Sequence, residues 1–208
     1  MAGFRLQGPI CRFLGALNID AGTMCRWNSQ PPGVVGIAQK TTAPVIDENS
    51  PPEMLVQDAK VRALLDVIAF AEGAEYDTIV HGKGSFTITD FSKHPDVLVE
   101  VTPTISSTAA GRYQFLYSTW SGLGMKDFTP NSQDVAAVKL FQRRKMLAPL
   151  FNGDIEQAIR NGNKEWASLP DSPYGQPTHS MGELKQLYDQ RLTPYLSPFD
   201  VGYKQWFA

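Results

Sequence analysis

Cysteine is almost absent: Cys11 and Cys25 are the 2 in a chain of 208 residues. This excludes a disulfide-stapled scaffold, and two residues at this spacing match no zinc pattern. The pair can form one disulfide, remain free, or act as ligands shared across chains, and free or weakly used thiols fit best. Histidine is also scarce. His81, His94 and His179 are scattered and form no HExxH, so no metal site is expected. A formal net charge of −2 lacks the basic excess of a nucleic-acid binder. No apolar run approaches a membrane span. The apolar FLGALNI near the N-terminus is short and has no small-residue cleavage site after it, so no signal peptide is expected. P-loop, GxGxxG and GxSxG motifs are missing, which removes nucleotide binding and serine-hydrolase chemistry.

What remains is a chain with 42% hydrophobic residues, enough for a packed core in one ordinary domain with extensions or in two small ones. Residues 1 to about 57 are expected to be an extension. Gly, Pro, Asn, Gln and Thr recur there with little periodicity, and CRFLGALNI (11–19) is its one apolar patch, a short helix or a docking peptide. A domain is expected over 58–192. Beyond it, residues 193–208 carry Tyr195, Phe199, Tyr203, Trp206 and Phe207, rings that either pack back on the domain or dock on a partner.

The informative stretch is VRALLDVIAFAEGAEYD (61–77). Val61, Leu64, Leu65 and Ile68 fall on one helical stripe, and Glu72, eleven residues after Val61, returns to it. Gly73 is a natural helix stop. Glu72 is therefore expected at a helix C-terminus, in phase with a buried face. There the macrodipole and desolvation both favour a protonated carboxyl. Such a group is suited to general acid catalysis, although a glutamate at a stripe edge is more often simply solvated.

After it, Thr78–Val80 and Phe86–Ile88 flank His81-Gly82-Lys83-Gly84 and predict a hairpin. The remainder reads as helices: a short aromatic one over 111–120, one capped by Asn131 or Ser132 running to about Leu147, one capped by Asp154, and one marked by Leu184, Leu187, Tyr188 and Leu192 that Pro194 stops. Mostly helices with one small hairpin is an α+β architecture.

Asp77, five residues past Glu72, is a second acid whose role as nucleophile, base or hydrogen-bond acceptor the sequence leaves open. Asp90 and Asp96 are further acids, and Asp96 is best read as a helix cap. Arg112, Tyr113 and Gln114 in STAAGRYQF offer a donor fork, a ring to stack on a sugar and an amide. Tyr174 and Gln176 in YGQ repeat the theme.

Seven strings occur in order: AFAEG (69–73), YDTIVHG (76–82), TDFSKHP (89–95), STAAGRYQF (107–115), DFTPNSQDVAAV (127–138), GDIEQAI (153–159) and WASLPDSPYGQ (166–176). Together they resemble the family of the bacteriophage lambda lysozyme, a peptidoglycan lytic transglycosylase. The resemblance covers about residues 58–192. It implies a lysozyme-like α+β fold, mainly helical, with a small β-hairpin lobe flanking the glycan cleft. It also implies Glu72 as the catalytic acid, with Asp77, Arg112, Tyr113, Gln114, Tyr174 and Gln176 at the substrate, and no cofactor. The substrate implied is the β-1,4 bond between N-acetylmuramic acid and N-acetylglucosamine. Two departures stand out: a shorter connection between Glu72 and Tyr76, and Ala109 where the family has glycine.

The arm and the tail lie outside that resemblance. They suggest a virion-associated enzyme attached to phage tail or baseplate proteins and acting on the host cell wall. An endolysin, a hydrolysing muramidase and a non-catalytic structural module are the alternatives.

Overall fold

A computed structural model describes residues 45–80 and 86–196. Cys11, Cys25, the 11–19 patch, the turn between the expected hairpin strands and the tail rings beyond Tyr195 lie outside the described residues. The described residues belong to one compact unit.

Helix α1 (Pro52–Leu55) lies within the span assigned above to the extension, yet Leu55 is fully buried and α1 packs on a later core helix. Helix α2 (Ala59–Glu72) follows. The Asp58 carboxylate caps it by accepting from the backbone N–H of Lys60 at 2.8 Å and of Val61 at 3.1 Å. Val61, Leu64, Leu65 and Ile68 are all buried, as the stripe requires. Gly73 ends the helix in the left-handed region (φ 61°), and its N–H closes onto the carbonyls of Ala69 and Phe70.

The expected hairpin is not a continuous ladder. Thr78 pairs with Thr87 in a single bridge, while Ile79 bridges to Ala110 instead. Val80 N–H donates to Ala109 and Gly111 N–H to Thr78, so the 78–80 backbone is shared between two partners. The two-stranded antiparallel sheet lies further on, between β1 (Val99–Thr102) and β2 (Ile105–Ser107), with an irregularity between Glu100 and Thr102. Asp96 caps no helix. It has a positive φ of 51°, and its N–H donates to His94 Nδ1 at 3.0 Å.

The expected 111–120 helix also shrinks. Gly111 (φ 75°) and Gln114 (φ 49°) make a tight turn in which Ala110 bridges Phe115, and helix α3 spans only Tyr117–Gly122. Helix α4 (Pro130–Arg143) is capped by Thr129 rather than by Asn131 or Ser132. Pro130 occupies the first turn, where its missing N–H has no intrahelical bond to lose. The Ser132 hydroxyl instead donates to Asp127 at 2.6 Å. The helix stops at Arg143, short of Leu147, because Lys145 turns to a φ of 56°. Helices α5 (Leu147–Phe151) and α6 (Ile155–Gly162) follow, α6 capped by Asp154 as expected. Helix α7 (Met181–Tyr195) is capped by Ser180 and contains Pro194 in its last turn, so the helix ends one residue beyond that proline. Helix α2 packs against α4, α5 and α7, which puts the carrier of Glu72 at the centre of the core.

Candidate active site

Glu72 closes α2 and lines a cavity of about 550 Å³. The remaining walls come from the β1–β2 hairpin (Val101, Ile105), the 113–116 turn, the C-terminal end of α4 and the 164–176 segment. Ser168 Oγ donates to Glu72 Oε1 at 2.5 Å, while Oε2 has no partner among the described residues. Burial pushes the carboxyl above its ordinary value; the Ser168 hydrogen bond and the His179 ring oppose this without reversing it. A carboxyl that binds its proton more tightly than usual and lines a cavity is suited to deliver that proton to a leaving oxygen.

Ser168 is itself held in place. Its carbonyl accepts from His179 N–H at 2.9 Å. Two residues earlier, Trp166 Nε1 donates to the Tyr113 carbonyl at 3.2 Å, tying this segment to the 110–115 turn. Neither Ser168 nor His179 was singled out from the sequence. Both lie in or beside the WASLPDSPYGQ string, which has no periodicity to mark a functional face.

The expected substrate-contacting residues divide. Tyr113, Gln114, Tyr174 and Gln176 line the cavity with Glu72, whereas Arg112 does not. Gln114 uses Nε2 on the Gly111 carbonyl at 2.9 Å, and its amide oxygen has no partner among the described residues. Tyr174 is 56% exposed, with its hydroxyl donating to the Lys164 carbonyl at 2.9 Å. That geometry leaves a ring available for stacking.

Tyr113 and Arg112 do other work. Tyr113 is 1% exposed, so its ring cannot stack on a sugar. Its hydroxyl donates to Asp134 at 2.6 Å, and burial beside that carboxylate raises the phenol well above its ordinary value. The Arg112 fork bonds Asp66 at 2.6 Å and the hydroxyls of Tyr76 and Tyr113 at 3.2 Å. It faces a different concavity from the one holding Glu72. These two residues belong to a buried polar network that fixes the 110–115 turn.

Asp77 is exposed and does not line the Glu72 cavity. Its carbonyl accepts from Ile88 N–H at 2.8 Å. The only other carboxylate lining the cavity among the described residues is Glu165, which Arg144 Nε engages at 2.8 Å. No group of three or more metal-ligating side chains occurs among the described residues.

Comparison with known proteins places this geometry. The solved bacteriophage lambda lysozyme complexed with a chitohexasaccharide is similar, with a TM-score of 0.61 and 38% identity, over 64% of this chain and 94% of that one. A second lambda lysozyme structure gives a TM-score of 0.53 at 35% identity, over 66% and 92%. The fold and site thus define a lysozyme-like, peptidoglycan-degrading enzyme. The endolysin of Escherichia phage lambda is 41% identical over 137 residues, 59% of this chain and 85% of the relative. The endolysin of Escherichia phage P2 is 38% identical over 144 residues, 60% and 87%. A family model described as Endolysin matches residues 62–193, and the chain belongs to that family.

Proposed function

We propose that the chain is a lytic transglycosylase that cleaves the β-1,4 bond between N-acetylmuramic acid and N-acetylglucosamine, with Glu72 acting first as acid and then as base. The observation that supports this reading is that, among the described residues, Glu72 is the one carboxyl lining its cavity that no ion pair engages. Glycosidases that activate water or form a covalent intermediate need a second carboxyl about 5–9.5 Å away. Glu165 is committed to Arg144, and Asp77 stands outside the cavity.

Protonated Glu72 gives its proton to the glycosidic oxygen as the bond from the muramic anomeric carbon breaks. The electron-poor carbon is relieved within the substrate by its own N-acetyl carbonyl. The muramic 6-hydroxyl then attacks that carbon, and the Glu72 carboxylate accepts its proton. A 1,6-anhydro ring closes, no water is consumed, and Glu72 returns to its starting form. Gln114, Tyr174 and Gln176 are the side chains assigned to hold the sugars.

The test is mass spectrometry of muropeptides released from purified peptidoglycan by wild type and by Glu72→Gln. Anhydro-muramic ends that vanish in the variant support the reading. Reducing muramic ends would overturn it in favour of hydrolysis.

A second, finer reading concerns location. About 60 residues precede the family match and about 15 follow it. We infer that these segments dock the enzyme on a phage tail or baseplate, with free endolysin as the competing role. Normal incorporation into virions after deletion of residues 1–57 and of 197–208 would overturn the docking role.

A further inference from the structure

Three residues with charged side chains, Arg144, Lys164 and Glu165, line the Glu72 cavity. Arg144, just past α4, donates Nε to Glu165 Oε2 at 2.8 Å and Nη2 to the Lys164 carbonyl at 3.4 Å. The same carbonyl accepts the Tyr174 hydroxyl at 2.9 Å. Arg144, Lys164, Glu165 and Tyr174 all line the cavity. Arg144 Nη1 and the Lys164 ammonium have no partner among the described residues. Two cations against one carboxylate leave these three side chains with a net positive charge. Val101, Ile105 and Leu116 give other parts of the wall an exposed apolar lining.

Holding the 164–176 segment in place does not require the Lys164 side chain, because the structural bonds go to its carbonyl. The ammonium is therefore a surplus charge on the residue whose carbonyl anchors the half-exposed Tyr174. An exposed ring and surplus cations lining one cavity suit a sugar that bears an anionic substituent.

We propose that Arg144 and Lys164, with Glu165 orienting the guanidinium, form a carboxylate-recognition subsite that makes the enzyme prefer muramic-acid-containing strands over uncharged N-acetylglucosamine chains. This rests on the glycan-strand reading above. The carboxylate comes from one of two sources, the lactyl ether of the muramic sugar or the peptide attached to it.

The test is calorimetric binding in the Glu72→Gln background, which prevents turnover, with three probes: a peptide-bearing muramic tetrasaccharide, the same sugar after amidase removal of the peptides, and chitotetraose. Adding Lys164→Gln should weaken a carboxylate-bearing probe about three- to fivefold, the range of a partly exposed charge contact. Adding Glu165→Gln should tighten it by a similar factor, and Lys164→Arg should preserve it. Chitotetraose should be indifferent, and the differences should fade at high salt. An effect confined to the peptide-bearing probe assigns the peptide carboxylates, and one confined to the stripped probe assigns the lactyl group. Equal changes for all three probes, or none for any, overturn the subsite while leaving glycan binding intact. Failure of all three probes to bind before Lys164 is altered overturns the glycan reading itself, and the subsite with it.

Discussion

Gly111 and Gly73 both occupy the left-handed region, with φ of 75° and 61°, but their surroundings separate them. A Cβ at Gly73 meets nothing within 4 Å, so Gly73→Ala costs only the backbone strain, about 1–2 kcal/mol. A Cβ at Gly111 would collide with the Gln133 amide and lie 2.9 Å from Phe128 Cζ. Gln133 is fully buried; it accepts from Arg112 N–H and donates to the carbonyls of Tyr76 and Phe128, each at 2.9 Å. Displacing it breaks buried hydrogen bonds worth about 1 kcal/mol each, and more where a group is left unpaired. Gly111→Ala is therefore expected to destabilise by about 3–5 kcal/mol. Urea unfolding of both variants at neutral pH measures the difference. If Gly111→Ala falls within 1 kcal/mol of Gly73→Ala, Gln133 is not the rigid hub described here. The consequence for activity is separate. The turn that Gly111 opens carries Gln114 into the cavity, so surviving Gly111→Ala protein should lose turnover beyond its unfolded fraction.

Ser168→Ala removes the donor that favours the Glu72 carboxylate, so Glu72 keeps its proton to higher pH. The basic limb of the pH dependence of kcat/KM should move upward, and a downward move would refute the assignment. His94 is buried with Nε2 on the Phe115 carbonyl at 2.8 Å and Nδ1 accepting from Asp96 N–H, so the folded state holds a neutral ring and burial depresses its titration. The unfolded chain binds that proton more readily. Stability should therefore fall as pH drops below about 6.5, the ordinary histidine value, toward the lowered folded one. His94→Gln should flatten that slope in urea unfolding between pH 7.5 and 5.5, and an unchanged slope would assign it to other groups.

Glu72 was legible because α2 obeys a single rule along its length. Apolar residues recur at helical spacing, and the one acid in phase with them stands before a glycine that must end the helix. The sheet was illegible for the opposite reason. Of Val99–Thr102 only Val99 is buried, so β1 shows no alternation, while the better β-formers at 78–80 divide their hydrogen bonds between two partners. The polar network of Arg112 and Tyr113 was illegible because residue type alone cannot tell a polar group serving a ligand from one serving the core. Asp66, Tyr76 and Asp134 meet that pair only after folding, from up to 46 residues away. Ser168 presents the same difficulty across 96 residues. Its string is recognisable as part of a resemblance, but nothing in its composition points to Glu72. Glu72 could therefore be found from local pattern. The groups that tune and position it come from chain segments that only the packed core brings together, and mutations at Ser168, Gln133 or Gly111 should alter activity without touching a sugar.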